Sequence, residues 1–336
     1  MWQRVAQGSL NGPNTFGRLS AAVGRMTSGM LQEHEARLQI YTDDPLLALY
    51  ASPRRKRVII ASVVMLWLMM GFSLAYHKGQ FGREVCWVGY DLKATHDGIE
   101  ASIKAQFMKD FVEATTATGA NNIIGKKALQ SYAGRANHIS NLLKAWRPFL
   151  DSFWAALYDK RPSRAPRGMI WTSQVRSALD WLSCFLSGHH GPLRKKWELR
   201  SYAQDITNIV FHLDASPYSI AAVLCINDEP WEFFSSPLTQ DDVVIHRRKI
   251  GDSKGQQVWE SLTLLVALTL WFNYWSCSRC SFTIKSDNNS ALILAATLKS
   301  SKGLNLIARE IALLYCKAQY EPRFFGTRAW SYECRG

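Results

Sequence analysis

Cysteine is sparse in this sequence and does not fall into pairs. The 336 residues contain seven cysteines, an odd number that is scattered mostly through apolar segments. This usage argues against a disulfide-stapled secreted domain and predicts reduced thiols in an intracellular protein, in the cytoplasm or nucleus. Cys277 and Cys280 have the spacing of zinc ligands, but no second Cys or His pair lies at a matching distance. We therefore expect no zinc site there.

The sequence also lacks an amino-terminal signal peptide, yet it contains one candidate membrane span. Residues 58–76 form a run of 19 residues without a charge, and four basic residues precede them. Such a run behind basic residues is typical of a transmembrane helix. Ser62, Gly71 and Ser73 dilute its apolar character, and it lies between two segments that read as hairpins. We expect a helix buried in protein and no stable membrane partner, and we keep a membrane anchor as an alternative.

Acidic residues are in short supply relative to basic ones. The chain has 27 Asp and Glu against 40 Lys and Arg, a net charge of +13 and a pI of about 9.5. This balance favours polyanionic partners, whose binding would weaken with salt because neutralised phosphates release counterions. A basic protein that is merely soluble is the alternative. With 47% apolar and 12% aromatic residues, the chain can build the cores of two or three domains.

An acidic turn joins two apolar runs near the start of the chain. Residues 38–41 and 46–49 flank Thr42-Asp43-Asp44-Pro45, a pattern that predicts a β-hairpin with an acidic tip. Adjacent carboxylates on a turn repel each other unless a cation lies between them, so the tip is a candidate site for Mg²⁺. The alternative is a solvated Asp-Asp-Pro turn.

Four blocks in this region, taken in order, resemble the palm of reverse transcriptases. Tyr41-Thr42-Asp43-Asp44 resembles their Tyr-x-Asp-Asp motif, and residues 12–18 resemble the helix start that packs against the template base. The helix ending at residues 70–75 resembles the closing palm helix. His77-Lys78-Gly79 resembles the lysine turn, and residues 85–90 resemble the primer-grip hairpin.

This resemblance implies nucleotidyl transfer at Asp43 and Asp44, which would bind Mg²⁺ or Mn²⁺, while Lys78 would protonate the departing pyrophosphate. It also implies contacts with a template–primer duplex from Tyr41, Gly79, Trp87 and Gly89. A palm of this family needs a further aspartate upstream, and no residue before Gly12 is acidic. We therefore expect the fingers and the first palm motif to be missing, and dNTP to bind only where the palm is completed.

The middle of the chain carries helical spacing and many basic residues. It resembles the thumb and connection that grip the duplex, and the resemblance implies phosphate contacts from Lys126, Lys127, Arg135, Lys144 and Arg147. A generic basic helical hairpin fits the same residues. The basic, proline-containing stretch of residues 160–167 is the predicted linker.

A second set of acidic residues lies in the last third of the chain. Asp214 ends a predicted strand at residues 208–216, and Asp287 follows another at residues 281–286. Between them, Glu260 is the one charge in an apolar helix at about residues 257–272, where an unpaired carboxylate is costly to desolvate.

This order of strand-end Asp, helix Glu and strand-end Asp resembles the RNase H fold. The resemblance implies that Asp214, Glu260 and Asp287 hold two Mg²⁺ or Mn²⁺ ions about 4 Å apart and hydrolyse the RNA strand of an RNA–DNA hybrid. One ion would activate water and the other would stabilise the leaving 3′ oxygen. A cap or turn role is the alternative for Asp287. Family members normally carry a fourth acid near the carboxyl end, where this chain offers only Glu333 in a poor context.

We therefore predict an α+β or α/β chain with a partial reverse-transcriptase palm, a helical thumb and an RNase H-like mixed five-stranded sheet with flanking helices. The predicted segments are a palm at 1–92, a thumb and connection at 93–158, a linker with an amphipathic helix at 159–203, the RNase H-like domain at 204–325 and an atypical tail at 326–336. The resemblance covers residues 8–325 and is to retrotransposon proteins, most of all those of DIRS type. An inactive nucleic-acid-binding protein with the same folds is the alternative, and the oligomeric state is not predicted.

Overall fold

A computed structural model describes residues 11–159, 165–198, 207–276, 280–299, 303–318 and 323–327. These residues form a mixed α/β fold, which confirms the predicted class at that level. The chain divides into two compact units, residues 1–94 and 95–336. Several predictions lie outside the described residues: the first part of the linker at 160–164, the thiol of Cys277 and the tail from residue 328 onward with Glu333.

The first unit is built from two helices and two hairpins. Its elements are α1 (Gly12–Gly29), β1 (Ala36–Tyr41), β2 (Asp44–Leu49), α2 (Pro53–Met69), β3 (Glu84–Trp87) and β4 (Tyr90–Ala94). β1 and β2 pair antiparallel with Tyr41 opposite Asp44, and β3 and β4 pair with Trp87 opposite Tyr90. The second turn has Val88 and Gly89 at φ +51° and +82°, the left-handed pair that a two-residue hairpin turn requires.

Helix α2 occupies most of the predicted membrane span. The Ser52 hydroxyl caps it by accepting the Arg55 N–H at 3.3 Å. It ends at Met69, before the predicted end near Ala75, and Gly71 then takes a left-handed φ of +83°. Among the helices that the structure describes, none is long and apolar enough to cross a membrane. Instead, the Trp67 indole N–H donates to the Thr27 hydroxyl at 2.9 Å and ties α2 to α1.

The second unit begins with a helical layer. Its elements are β5 (Gly98–Ile103), α3 (Ala105–Ala120), β6 (Ile123–Gly125), α4 (Lys126–Leu142), α5 (Arg147–Tyr158), β7 (Met169–Trp171), α6 (Arg176–Leu186) and β8 (Arg194–Glu198). Its core is aromatic: Phe111 stacks on Tyr132 at 5.0 Å between ring centroids, and Trp146 stacks on Phe185 at 5.5 Å. Pro148 lies in the first turn of α5, where a missing N–H leaves no bond unmade.

The described part of the predicted linker is folded into this layer. β7 pairs antiparallel with β6, and β8 pairs antiparallel with β5. Lys196 forms an ion pair with Asp97 at 2.5 Å, and Arg194 forms one with Glu100 at 3.3 Å. Residues 169–171 and 194–198 of the predicted linker segment are therefore strands, and the amphipathic helix predicted within that segment is present as α6. Local composition could not reveal the pairing, because the partner strand lies almost one hundred residues earlier in the chain.

The rest of the second unit is a sheet with helices. Its elements are β9 (Thr207–Ala215), β10 (Ser219–Ile226), β11 (Glu229–Pro237), α7 (Gln240–His246), α8 (Gln256–Leu270), α9 (Phe272–Ser276), β12 (Cys280–Lys285), α10 (Asn289–Thr297), α11 (Asn305–Lys317) and β13 (Arg323–Thr327). The five strands lie in the order β11-β10-β9-β12-β13. The first three are antiparallel, whereas β12 is parallel to both β9 and β13, so the sheet is mixed.

Helix α8 lies at the centre of this part of the unit. It packs against β9 and β10 and also contacts α10 and α11, which explains why its residues are apolar around most of the helix. The sheet and the helical layer are joined through α11. Arg309 stacks over the Phe149 ring at 5.3 Å and donates to the Pro148 carbonyl at 3.3 Å. The Asn305 amide donates to the Asp151 carboxylate at 3.0 Å.

Candidate metal centre and nucleic-acid contacts

The predicted acid on helix α8, Glu260, is buried at 2% exposure. Its Oε1 accepts a hydrogen bond from Gln256 Nε2 at 2.9 Å, and its Oε2 is buried without a partner in the described structure. Burial raises the pKa of Glu260 to about 7; hydrogen bonding to Gln256 and the Ala215 backbone lowers it, and the nearby charges of Asp287 and Asp214 raise it. A carboxylate in this position favours either a proton or a cation.

The two aspartates lie at the carboxyl ends of neighbouring parallel strands. Asp214 is the penultimate residue of β9, and Asp287 lies two residues beyond the end of β12. The paired register of the two strands ends at Lys285 and His212, two residues before each aspartate, so both aspartates follow the same edge of the sheet. Adjacent strands are about 4.8 Å apart. Both side chains are exposed, and both act electrostatically on Glu260.

The alternative role of Asp287 as a helix cap is taken by its neighbour. The Asn288 side chain accepts from the Ser290 N–H at 2.9 Å and from the Ala291 N–H at 3.3 Å, and is the N-cap of α10. The Asp287 carboxylate is therefore left for another role at this end of the sheet.

The three acids do not form a closed metal site in this arrangement. Among the described residues, no three His, Cys, Asp or Glu side chains are grouped closely enough to hold a metal ion. The donor set nevertheless fits a hard cation such as Mg²⁺ or Mn²⁺, because it consists of carboxylates and includes one buried oxygen without a partner. Asp214 and Asp287, both exposed, are the side chains that would have to turn toward Glu260.

The acidic hairpin of the first unit presents both of its carboxylates to solvent. Asp43 lies in the turn and Asp44 begins β2; both are exposed, as is Tyr41 at 58%. Thr42 has a φ of +55°, which makes the turn tight. The Trp87 indole N–H donates to the Asp44 carbonyl at 2.9 Å. The predicted primer-grip hairpin therefore supports the acidic turn directly.

The predicted lysine turn is fixed to the same hairpin. Lys78 ends a short 3₁₀ turn, and both Lys78 and Gly79 are exposed. The next residue, Gln80, pairs its side-chain amide with the Cys86 backbone, accepting the N–H at 2.7 Å and donating to the carbonyl at 3.0 Å. Gly89, at the tip of the hairpin turn, is also exposed.

The basic residues predicted to contact phosphate fall into two groups. Lys126 and Lys127 are exposed in the first turn of α4, and Lys144 is half-buried. Arg135 is also half-buried, and its guanidinium lies 6.0 Å from the Phe111 ring centroid. We retain the two exposed lysines as candidate phosphate contacts.

Arg147, also predicted to contact phosphate, is bonded to backbone carbonyls within the fold. Its guanidinium donates to the Ser140 carbonyl at 3.2 Å and to the Thr297 carbonyl at 2.9 Å. These carbonyls lie in the last turns of α4 and α10, where backbone acceptors lack helical partners and a cation complements the helix dipole. Arg147 thus joins the helical layer to the sheet.

Sequence reasoning missed Gln256 as part of the acidic centre. It lies four residues before Glu260, the spacing at which side chains meet on one face of a helix. A polar amide one turn before a lone buried carboxylate was the available signal.

Comparisons with known protein families and with characterised proteins find no match. Among solved structures, the chain is similar to a foamy viral protease-reverse transcriptase dRH in complex with ds DNA, with a TM-score of 0.44 and 18% identity over 98% of this chain and 51% of that one. It is also similar to foamy viral protease-reverse transcriptase in complex with dsDNA, with a TM-score of 0.43 and 17% identity over 98% of this chain and 61% of that one. A third structure holds that protein with RNA/DNA hybrid, with a TM-score of 0.44 and 17% identity over 98% of this chain and 39% of that one. This chain spans about half the length of the first of these proteins.

Proposed function

We propose that this chain is a reverse-transcriptase and RNase H-like segment of a retroelement protein, and that Asp214, Glu260 and Asp287 form a metal-dependent centre that cleaves the RNA strand of an RNA–DNA hybrid. The observation that carries the proposal is Glu260. Its carboxylate is buried with one oxygen unpartnered, at the strand ends where Asp214 and Asp287 repel its negative charge. A fold retains such a group at a cost unless a cation offsets the repulsion.

The three acids of the centre differ in their positions and in the roles that we propose for them. Helix α8 holds Glu260 against β9, while Asp214 and Asp287 project from exposed strand ends that a hybrid can approach. Bound Mg²⁺ or Mn²⁺ would supply Lewis-acid stabilisation of the developing charge and an activated water. The net charge of +13 attracts the phosphate backbone, and Lys126 and Lys127 are candidate contacts.

The acidic hairpin extends the proposal to nucleotidyl transfer. Asp43 and Asp44 would bind the cation, and Lys78 would donate a proton to the departing pyrophosphate. The Trp87 indole holds the turn in place by donating to the Asp44 carbonyl. A third carboxylate is needed to complete this second centre. We therefore propose RNA hydrolysis as the activity to test in this chain.

The test is cleavage of a labelled RNA–DNA hybrid by the full chain in Mg²⁺ or Mn²⁺. The full chain is used because α5 and α11 join the sheet to the helical layer. We expect cleavage by the native chain and by the matched control Glu310→Gln, an exposed acid on α11. Glu260→Gln should reduce cleavage by at least two orders of magnitude, since one ligand and one charge are lost. Cleavage by Glu260→Gln at the native rate would disprove the assignment.

A second candidate function is binding without catalysis. It is favoured by the absence, among the described residues, of three potential ligands grouped for one metal ion. A chain that only binds would retain RNA–DNA hybrid with a steep salt dependence, would gain no affinity from Mg²⁺, and would bind equally well as Glu260→Gln. Binding of this kind with no cleavage by the native chain would favour this function over hydrolysis.

A further inference from the structure

We infer that Gln256 is a positioning residue for the acidic centre, and that it presents one chosen oxygen of Glu260, Oε2, to a cation. The inference rests on the proposed function of that centre. It concerns a residue that would not contact the cation or the hybrid, and that acts only through the orientation of Glu260.

Both amide hydrogens of Gln256 are donated in hydrogen bonds. Nε2 donates to Glu260 Oε1 at 2.9 Å and also to the Ala215 carbonyl. A primary amide nitrogen has two hydrogens, so this side chain has no further donor to give. One contact lies on the same helix and the other on β9, directly after Asp214. Gln256 therefore links the orientation of one acid to the strand that carries another.

The start of α8 holds the Gln256 backbone in place. A Cβ on the preceding residue, Gly255, would lie 2.7 Å from Nε1 of the fully buried Trp259, so the first turn is packed directly onto that ring. The Gly255 N–H bonds to the Asp252 carbonyl at 3.0 Å. The loop before it is tied to the end of the sheet, because the Gly251 N–H bonds to the Pro217 carbonyl at 2.9 Å.

The pattern of partners distinguishes positioning from simple packing. Glu260 Oε1 is engaged, whereas Glu260 Oε2 and Gln256 Oε1 are buried without partners in the described structure. Most buried polar atoms in proteins have a hydrogen-bond partner. If Gln256 served only stability, we would expect fewer buried oxygens without a donor around it. Engaging one oxygen and sparing the other fixes which lone pairs of Glu260 are left for a cation. Partners of this kind around metal ligands typically contribute about 10–100-fold to metal affinity or activity.

The test measures the dissociation constant of Mn²⁺ for the full chain at one fixed pH, with the thermal unfolding of the metal-free chain measured alongside. Gln256→Met keeps the length of the side chain and removes its donors. We expect it to weaken Mn²⁺ binding by about tenfold or more. Saturating Mn²⁺ should then restore most of the maximal cleavage rate, which a general loss of structure would not allow. Gln257→Met, the same change one residue along α8, is the matched control and should leave Mn²⁺ affinity unchanged.

The other outcomes separate this inference from the proposed function. If Glu260→Gln abolishes Mn²⁺ binding while Gln256→Met and Gln257→Met behave alike, the centre stands and the positioning role is overturned. If the native chain binds no Mn²⁺, both are overturned. Should Gln256→Met fail to unfold cooperatively, Gln256→Ala takes its place, because the smaller side chain admits water beside Glu260; native Mn²⁺ affinity in that variant also overturns the inference.

Discussion

At the scale of single residues, the candidate centre contains a buried carboxylate, which is costly to desolvate. Glu260 is buried, only one of its oxygens is bonded, and two further acids act on it. Another acid of the second unit has both carboxylate oxygens bonded: Glu232 accepts bonds from the Trp271 indole at 2.8 Å and from the Tyr274 hydroxyl at 2.5 Å. A satisfied carboxylate such as Glu232 stabilises the fold, whereas Glu260 has one buried oxygen without a partner in the described structure.

The titration of Glu260 predicts how stability depends on pH. Its pKa is about 7 in the folded chain and 4.5 in the ordinary reference state. Between these values the folded chain keeps a proton that the unfolded chain gives up, so the metal-free protein loses stability as pH rises from about 4.5 to 7. The loss is complete above that window and is on the order of 3 kcal/mol.

Glu260→Gln should remove most of this decline and make the metal-free chain more stable than the native chain at pH 8. Glu310→Gln, whose site is exposed, should keep the native dependence. The measurement is the free energy of unfolding by denaturant at several pH values. A native-like decline in Glu260→Gln would show that another group controls it.

At the scale of elements, some glycines leave no room for a side chain, whereas at others a Cβ could be added freely. Gly255 precedes α8 and faces Trp259 Nε1, whereas a Cβ at Gly134 in α4 would meet nothing within 4 Å. Position alone, inside or beside a helix, does not distinguish them. Only the neighbour across the fold does.

The same substitution at these two sites should therefore have opposite signs. Gly255→Ala forces a shift of a buried ring or of the first turn of α8 and should destabilise the chain by about 1–3 kcal/mol. Gly134→Ala should stabilise it by about 0.5–1 kcal/mol, because alanine loses less backbone entropy in a helix. Thermal and denaturant unfolding measure both. Equal effects from the two variants would contradict the packing at Gly255.

At the scale of the whole molecule, positive charge is used in two ways. The chain has an excess of 13 positive charges, but some of its basic groups make contacts within the fold. Arg147 and Arg309 bond to backbone carbonyls between the helical layer and the sheet. Lys126 and Lys127 remain exposed at the start of α4. Composition counts these groups together, although only the exposed ones can meet phosphate.

Removing each kind of charge should change a different property. Substituting Lys126 and Lys127 by alanine should lower the slope of log affinity for hybrid against log salt by about 2 and leave unfolding unchanged. Arg147→Ala should destabilise the chain by about 2 kcal/mol, since two carbonyls lose a charged donor. Binding titrations at several salt concentrations and denaturant unfolding separate the two. A stable Arg147→Ala variant with a reduced salt slope would restore the phosphate role first predicted for it.

Local pattern by itself determined the strand of Asp214, the helix of Glu260, the strand before Asp287 and the acidic hairpin. Alternating apolar residues, a lone charge in an apolar run and turn residues are all read within one element. Other features could not be predicted from local sequence and were determined by the tertiary structure. They are the pairing of β8 with the distant β5, the addition of β13 beside β12, the carbonyl partners of Arg147 and the second bond of Gln256. Each of these depends on the register or contact of segments far apart in sequence, which is set by packing across the fold and not by the residues beside them.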